Sequence, residues 1–468
     1  MTRARVLALV VLALSRGAAA QTEPAAPGPP QPLTLDAAIQ YATEHYPTIR
    51  AAVEQVVASA ADVDVARAVY LPRLDSVWQS NRATANNIFG QVLPQSVIPS
   101  MSGPVLASTS SRAVWGSAAG ALLSWEPLDF GWRRASVAGA EAALARARAA
   151  ETLTRLDVAT EVAAAFLDLA AAQGAVAAAQ ADVDRRDVLR TSAHALVDSQ
   201  LRAGAEASRA DAERAAAHTR LIQARQAVAI GQATLARVLG VTSGPVTIAA
   251  EAVLGSPPAA RLPGSAPSAH PMAQAQLAAV AQARAQEEGV AKSDVPRVYV
   301  QSSVFARGSG AGAGGVLDGG VDGLALDRAN WAAGVQVVFP NVFDVPTLRA
   351  RKAAAAASMR SEAARYDEAV LSVTSQQQTA AALLDAARAV AANTPLQLAA
   401  AQQTETQARA RYAAGLASIV EVADAQGLLA QAELQDRLAR INVWRGVLAT
   451  AAAQGDLNAL VALLRQQP

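Results

Sequence analysis

Glu421 and Asp424 are the carboxylates in this sequence whose spacing most directly suggests a site. They stand three residues apart in the segment 411–426, and on a helix two residues three apart lie on one face. Two such carboxylates in a confined space would attract cations, whereas the same pair on an open helix surface would only be solvated. The pattern therefore indicates either a cation-attracting site or a plain acidic face, and both interpretations stay open here.

Little else in the sequence could support catalysis. The histidines are scattered without metal-ligand spacing, at His45, His194, His218 and His270. There is no cysteine, which excludes disulfides, thiolate metal ligands and a lipid-modified N-terminal cysteine. Residues 310–315 match a dinucleotide-binding pattern by letter, but they lie between two predicted strands with no helix after them. We therefore predict that the protein is not an enzyme and holds no cofactor or metal.

The composition favours thin, closely packed helices. Apolar residues make up 52% of the 468 positions while aromatics make up only 4%, and alanine is the commonest residue. The 40 basic and 39 acidic residues leave a net charge of +1, so no overall field attracts nucleic acid. The composition therefore gives no support for a nucleic-acid partner.

Residues 1–20 have the pattern of a secretory signal peptide. Arg3 and Arg5 precede a short apolar run at 6–14 and an alanine-rich cleavage signal at 18–20. The apolar run is too short to span a bilayer. We expect the mature chain to leave the cytoplasm and residues 21–32, rich in proline and alanine, to be a disordered lead-in.

The remaining sequence is internally duplicated. Pro47 and Pro72 are 25 residues apart, as are Pro271 and Pro296, and several later pairs, such as Gly240 and Gly455, are separated by 215 residues. Each copy reads as a helix, two strands and a very long helical hairpin, a unit that cannot bury its own surfaces. The predicted divisions are a first repeat at 33–240, a linker at 241–269, a second repeat at 270–455 and a tail at 456–468.

Four strands are predicted, two in each repeat, at 71–82, 113–125, 297–307 and 330–339. Most of the six tryptophans lie in or beside them, which is typical of the aromatic girdles of membrane strands. The predicted interface aromatics are Trp78, Trp115, Trp125 and Trp331.

The long hairpins follow from proline-free or nearly proline-free helical runs. Residues 133–201 would form a helix on the order of 100 Å long at about 1.5 Å per residue. Gly204 and Gly415 mark the predicted turns at the two hairpin tips, and Pro395 lies inside the second long helix. No globular core needs helices of this length.

The segment 411–426 carries the strongest local signal, RYAAGLASIVEVADAQ. Together with the duplication and the strand pairs, it resembles the TolC-type outer-membrane efflux protein family over nearly all of the mature chain. In that family the string forms the turn and first helical steps at the periplasmic tip of the second hairpin. The resemblance implies a mainly α-helical protein with a small β part, in which α-helical hairpins form a tunnel and each protomer adds four transmembrane strands to a trimeric 12-stranded β-barrel.

Barrel geometry points to the same stoichiometry. Four strands cannot close a barrel, and the interior of an eight-stranded barrel is filled by side chains. Three protomers would supply twelve strands, the smallest multiple of four that leaves room for a pore.

The resemblance also assigns roles at the entrance of the tunnel. Glu421 and Asp424 occupy positions whose carboxylates ring the narrow periplasmic mouth in the family. Tyr412 and Ala417 match positions that often hold the mouth closed through links to the neighbouring hairpin, although Ala417 stands where arginine is common. Arg209 and Asp211, at the tip of the first hairpin, are candidate charge partners for these links.

The implied function is that of a homotrimeric exit duct in the outer membrane with a periplasmic extension. It would passively conduct substrates for a tripartite efflux pump or a type I secretion system, with outer-membrane lipid, a periplasmic adaptor and an inner-membrane pump or ABC exporter as partners. The alternatives are a structural coiled coil, which would not explain the strand pairs, and a periplasmic adaptor, which would need a compact β-rich module beside one hairpin.

Overall fold

The computed structural model describes residues 28–29, 31–84, 95–98, 111–241, 246–255, 262–310, 321–340 and 343–465. The predicted signal peptide and most of the predicted lead-in lie outside the described residues. The prediction of a mainly helical fold with a small sheet is confirmed.

The two halves of the chain have the same order of elements. Each begins with helices, continues through two strands and ends in a long helix with a shorter returning helix. The first half contains α1 Leu35–His45, α2 Pro47–Ala68, β1 Arg73–Thr84, β2 Ala113–Leu128, α3 Trp132–Asp198 and α4 Gly204–Leu239. The second contains α5 Glu251–Leu254, α6 Pro271–Ala291, β3 Arg297–Gly308, β4 Arg328–Val338, α7 Val345–Ala413, α8 Ile419–Gln454 and α9 Asn458–Arg465.

The helix starts follow local chemistry. Thr34 caps α1 by accepting a hydrogen bond from the Ala37 backbone N–H. Proline occupies the first position of α2 and α6, where its missing N–H has no intrahelical partner to lose. The extended backbone of Tyr46, just before Pro47, ends α1 and separates it from α2.

The four strands form one antiparallel sheet in the order β1-β2-β3-β4. Trp78 is in register with Ala119, and Trp331 with Val304. Register partners project from the same face, and along a strand residues an even number apart share a face. These relations put all four tryptophans on one face, together with Leu74, Leu123, Val300, Val304 and Val335.

The opposite face of the sheet carries most of the charged and amide side chains of the strands, together with an apolar cluster in which Val77, Ala118, Leu122 and Phe305 pack with Val97 and Ile98. The polar side chains of this face include Asp75, Gln79, Asn81, Gln301, Ser303, Arg307, Arg328, Asn330 and Gln336. On the apolar face, Trp125 and Trp115 are ten residues apart on β2, about 33 Å along the strand at about 3.3 Å per residue. A membrane-spanning strand has 9–11 residues. Trp115 and Trp125 are therefore separated by the length of one such strand.

Asp129 joins the sheet to the helices. Its Oδ2 atom accepts hydrogen bonds from the Arg133 backbone N–H at 2.6 Å and from Arg133 Nε at 2.9 Å, and Oδ1 accepts one from the Gly131 N–H at 3.1 Å. The Arg133 guanidinium lies 4.5 Å from the centre of the Tyr70 ring. The end of β2 is thereby attached to the start of α3 and to the end of α2.

The long helices form a wall in which, as in the sheet, each element contacts its neighbours side by side in a defined order. Beside the sheet, the contacting neighbours follow the order α2, α3, α6, α7, and toward the hairpin tips they follow the order α4, α3, α8, α7. The main apolar core lies between these two zones, around the fully buried Phe166 and Trp444, and α1, α5 and α9 contribute to it. The predicted tail thus contains a helix, α9, whose Arg465 pairs with Asp36 at 2.7 Å.

Composition alone would allow part of α3 to span a bilayer. An apolar window of 18 residues in this helix is sufficient by length and hydropathy, but more than half of it is buried inside the protein. Because α3 contacts α2, α4, α6 and α8, this apolar content belongs to the core.

In both hairpins the returning helix makes the same close contact with the long helix. A Cβ on Gly446 would lie 2.9 Å from Leu384 Cα, and a Cβ on Gly231 would lie 3.1 Å from Leu169 Cδ1. Gly231 and Gly446 are 215 residues apart, and so are Leu169 and Leu384. In both copies glycine therefore lets the returning helix approach a leucine of the long helix.

We expect Gly446→Ala to destabilise the protein by about 1–3 kcal/mol, because the new methyl group meets backbone rather than a flexible side-chain end. Gly139→Ala in α3 is the matched control, since nothing lies within 4 Å of its Cβ position and alanine stabilises a helix by up to about 1 kcal/mol. Thermal unfolding of the two variants in detergent measures the contrast. Equal midpoints would show that α7 and α8 do not need this close approach.

Candidate functional site at the hairpin tips

The two hairpins turn in the same way. Leu201 donates its N–H to the Leu196 carbonyl and Leu416 donates its N–H to the Arg411 carbonyl, closing equivalent loops. The left-handed residue that each loop requires is Gln200, with φ 59°, at the first tip and Gly415, with φ 76°, at the second. The expectation that Gly204 turns the first tip is therefore wrong: Gly204 begins α4, and Gln200 accepts the less favourable backbone conformation.

Tyr412 connects the second tip to the first. Its hydroxyl donates a hydrogen bond of 2.9 Å to Glu206 Oε2 on α4, and its side chain is buried, with the residue only 4% exposed. The tyrosine packs in a small apolar cluster that also contains Leu189, Ala210 and Val422. One hydrogen bond and one cluster thus join residues of both hairpins.

Arg202 completes this link from the first hairpin. Its guanidinium lies 5.1 Å from the centre of the Tyr412 ring and 3.6 Å from Glu206 Oε1. It also donates a hydrogen bond of 3.4 Å to the carbonyl oxygen of Ala417. We call Arg202, Glu206, Tyr412 and the Ala417 carbonyl the tip link.

The tip link perturbs the titration of its tyrosine. Burial, and then the hydrogen bond and charge of Glu206, raise the pKa of Tyr412 to about 12, while Arg202 opposes the shift. The phenol therefore keeps its proton, and can donate to Glu206, throughout the physiological pH range.

Arg209 and Asp211 do not take part in the tip link, contrary to the expectation from the sequence. Arg209 pairs with Glu213 on its own helix at 3.2 Å. Asp211 accepts hydrogen bonds from Arg190 at 2.6 Å and from His194 at 3.1 Å, both on α3. The hydrogen bonds from Arg190 and His194 hold the pKa of Asp211 below its ordinary value. These charges strengthen the first hairpin internally.

Arg202 and Glu206 are the tip residues that sequence reasoning missed, although the duplication contained a signal for both. The repeat offset is 215, and 417 − 215 = 202, so Arg202 is the counterpart of Ala417 in the first copy. By the same offset, Glu206 is the counterpart of Glu421 in the first copy. The arginine that the second tip lacks is present at the equivalent position of the first tip, and it reaches across to the Ala417 carbonyl.

Glu421 and Asp424 lie at the start of α8 with exposed side chains. The backbone N–H of Glu421 donates to the capping Ser418 hydroxyl at 3.4 Å, and a carboxylate in a first helical turn is favoured by the helix dipole. A loose ion pair of 3.8 Å joins Glu421 to Arg411. Asp424 makes no ion pair or side-chain hydrogen bond with any described residue, so its charge is open to solvent.

Within the part of the chain that the structure describes, no group of three or more His, Cys, Asp or Glu side chains is arranged to hold a metal ion. The tip chemistry is therefore that of a tyrosine–carboxylate–arginine contact between hairpins, with two exposed carboxylates beside it.

Comparisons with known proteins agree with this architecture. The sequence model of the family described as "Outer membrane efflux protein" matches residues 38–241 and 262–455. No curated protein matches the chain.

Solved structures share the fold at low sequence identity. CusC is 14% identical with a TM-score of 0.74, covering 90% of this chain and 92% of its own. The Campylobacter jejuni outer membrane channel CmeC is 12% identical with a TM-score of 0.73, covering 92% and 89%. VceC, an outer membrane protein of Vibrio cholerae, is 18% identical with a TM-score of 0.70, covering 90% and 96%. The family model matches most of this chain. The chain therefore belongs to the outer membrane efflux protein family and is a protein of the outer membrane.

Proposed function

We propose that three copies of this chain assemble into a 12-stranded barrel continued by a helical tunnel. The observation that carries the proposal is the open four-stranded sheet: among the described strands, β1 and β4 each have one edge without a strand partner. An unpaired edge cannot lie in a bilayer, because its backbone groups would lack hydrogen-bond partners. Pairing β1 of one copy with β4 of the next removes every edge.

The two faces of the sheet support this arrangement. Trp78 is 73% exposed and Trp331 is 78% exposed on the apolar face, which a soluble monomer would leave in water. In the proposed barrel this face contacts lipid, and the opposite face lines the lumen. Trp115 and Trp125 would lie in the two interface belts, while Trp78 and Trp331, at the register positions of Ala119 and Ala121, would lie between them.

The helical wall fits the same stoichiometry. Its outer helices present isolated large apolar side chains to solvent in one chain, including Ile222 and Ile230 on α4 and Leu371, Leu383 and Leu396 on α7. Placing α4 of one copy beside α7 of the next would cover both sets while closing the tunnel.

The assembled protein would act as a passive exit duct from the periplasm to the exterior. Its partners would be a periplasmic adaptor and either an inner-membrane efflux pump or an ABC exporter of a type I secretion system. The duct itself supplies no energy, in keeping with a chain whose recognisable chemistry is confined to contacts between hairpins.

Within this duct we assign the tip link to the closed state. Opening the periplasmic mouth requires the second hairpin to move away from the first, and this movement separates Tyr412 from Glu206 and Arg202 from the Ala417 carbonyl. Glu421 and Asp424, repeated in three copies, would form an acidic ring of six carboxylates at the mouth, where the walls focus their field.

Engineered disulfides test the trimer, because the native chain has no cysteine and any crosslink reports the introduced pair. We expect Ser76→Cys in β1 to crosslink with a cysteine scanned along the apolar face of β4, including Ala333→Cys, giving covalent trimers on non-reducing gels of outer membranes. Ala119→Cys in the inner strand β2, combined with the same β4 cysteines, is the control that should remain monomeric. A chain that fractionates as a soluble monomer would contradict the barrel.

We expect the double substitution Glu421→Ala and Asp424→Ala to lower cation selectivity and weaken block by trivalent cations in planar bilayers, with trimer assembly intact. Charges on an open exterior would instead be screened within about 8 Å at physiological salt. Glu287→Ala with Glu288→Ala on α6 is the matched pair of carboxylates away from the tip. Unchanged selectivity and block in the tip variant would make these two residues ordinary surface charges.

We expect Tyr412→Phe to raise the resting open probability by about tenfold or more, since a hydrogen bond to a charged group contributes about 1.5–3 kcal/mol. Raised pH should act on the same contact. Because the folded pKa of Tyr412 is raised, its stabilising contribution is complete below the ordinary tyrosine value of about 10 and is lost as pH rises through about 12. Single-channel recordings should show alkaline opening of the parent channel and a smaller change in the phenylalanine variant; identical pH curves would remove Tyr412 from the gate.

A further inference from the structure

A cleft of about 580 Å³ lies immediately behind the tip link. Residues of α3 and α7 form its walls, and Gln426 of α8 reaches it from the floor. Tyr412 itself belongs to the lining. At about 100° per residue, Gln426 lies about 200° around α8 from Asp424, so the cleft is on the side of the helix opposite the acidic pair. Its volume is within the range of small-molecule sites.

Two buried oxygen atoms in this lining accept no hydrogen bond from any described residue. They are Oε1 of Glu405, whose side chain is 7% exposed, and Oε1 of Gln426, which is 2% exposed. Buried acceptors without donors are unusual, because desolvation of each is unfavourable. Both oxygens lack the same thing, a hydrogen-bond donor.

The Glu405 carboxylate has only a loose counter-ion among the described residues. Its ion pair is with Arg409, whose Nε is 3.9 Å away and whose side chain is largely exposed. Arg185, the other cation of the lining, donates from its two terminal nitrogens to the Glu433 oxygens at 3.0 and 2.9 Å, and its buried Nε has no acceptor among the described residues. Asp184 adds a further acidic residue to the rim of the cleft. The local charge therefore favours a cation that brings its own donors.

Apart from Ser192 and Tyr412, the rest of the lining is apolar. The α3 wall contributes Val188, Leu189, Ala195 and Leu196, and the α7 wall contributes Ala413. A bare metal ion has no apolar surface to place against these side chains, and a fully apolar molecule would leave both oxygens without hydrogen-bond donors. The complementary ligand has an ammonium or guanidinium head and an apolar body.

We propose that this cleft binds small organic cations, with the cationic head donating to Glu405 and Gln426 and the apolar body lying against α3. A bound molecule would contact both hairpins beside Tyr412. On the further assumption that the tip link is a closing contact, as in the proposed function, occupancy of the cleft would hold the hairpins together and favour the closed duct.

The test compares two probes of the same shape, 4-phenylbutylamine and 4-phenyl-1-butanol, by isothermal titration calorimetry on the detergent-purified full chain. We expect the amine to bind about tenfold or more tightly than the alcohol, because charge-assisted hydrogen bonds are the stronger ones. Equal affinities, or no binding of the amine, would overturn the proposal.

Glu405→Gln should abolish this preference while keeping the volume and shape of the side chain. Its thermal midpoint checks folding, and it should not fall, because the substitution removes a buried charge with only a distant partner. Glu368→Gln, an exposed position on the same helix, is the matched control and should bind the amine like the parent. Preference for the amine retained in Glu405→Gln would place the ligand elsewhere.

Channel recordings in the presence of the amine separate the binding site from its regulatory effect. Reduced opening of the parent, absent in Glu405→Gln, supports the coupling to the tip link. Binding without any effect on opening would retain the cleft as a cation site and reject its connection to the gate.

Discussion

The rest of this structure depends on one constraint: neither the described sheet nor the described layer of helices closes on itself within a single chain. Within the described residues the sheet ends in β1 and β4, each paired with a strand on one side only, and the layer of helices ends in α2 or α4 on one side and α7 on the other. Each layer buries what it can against its neighbours in the chain, and the remaining apolar surface is left for another copy. This uncovered surface is the physical reason for proposing a ring of identical chains.

Small residues make that wall thin and continuous. Glycine at 231 and 446 removes the side chain at the point where each returning helix meets a leucine of its long partner. Alanine is the commonest buried residue, as at Ala163, Ala170, Ala439 and Ala451, so the helices can lie close together over a great length. The bulky core is confined to the region around Phe166 and Trp444, where α1, α5 and α9 give it cover.

Polar contacts increase toward the hairpin tips, where apolar burial is reduced. Buried Arg186 is held by Asp182 at 3.0 Å and by Glu213 at 2.8 Å, and Arg220 reaches Asp182 from α4. Such pairs contribute less net stability than apolar packing, because both charges must be desolvated. At the tip link the same kinds of groups join two hairpins, which the proposed opening of the duct would separate. A region held by a few polar contacts can open without unfolding the core behind it.

The sequence by itself determined the parts of this protein that depend on periodicity and local chemistry. The alanine-rich composition indicates long helices, the alternation of apolar residues from Trp331 to Phe339 indicates a strand with one apolar face, and the segment 411–426 indicates the family, because these signals lie within short stretches of chain. Only the tertiary structure decided which side chains meet at the tips. Arg209 and Asp211 were plausible partners for Tyr412 by position, but helix rotation directs them into their own hairpin, while Glu206 and Arg202 face the tyrosine. Rotation about a helix changes by about 100° per residue, so assigning a contact between distant segments requires both helices to be placed in space.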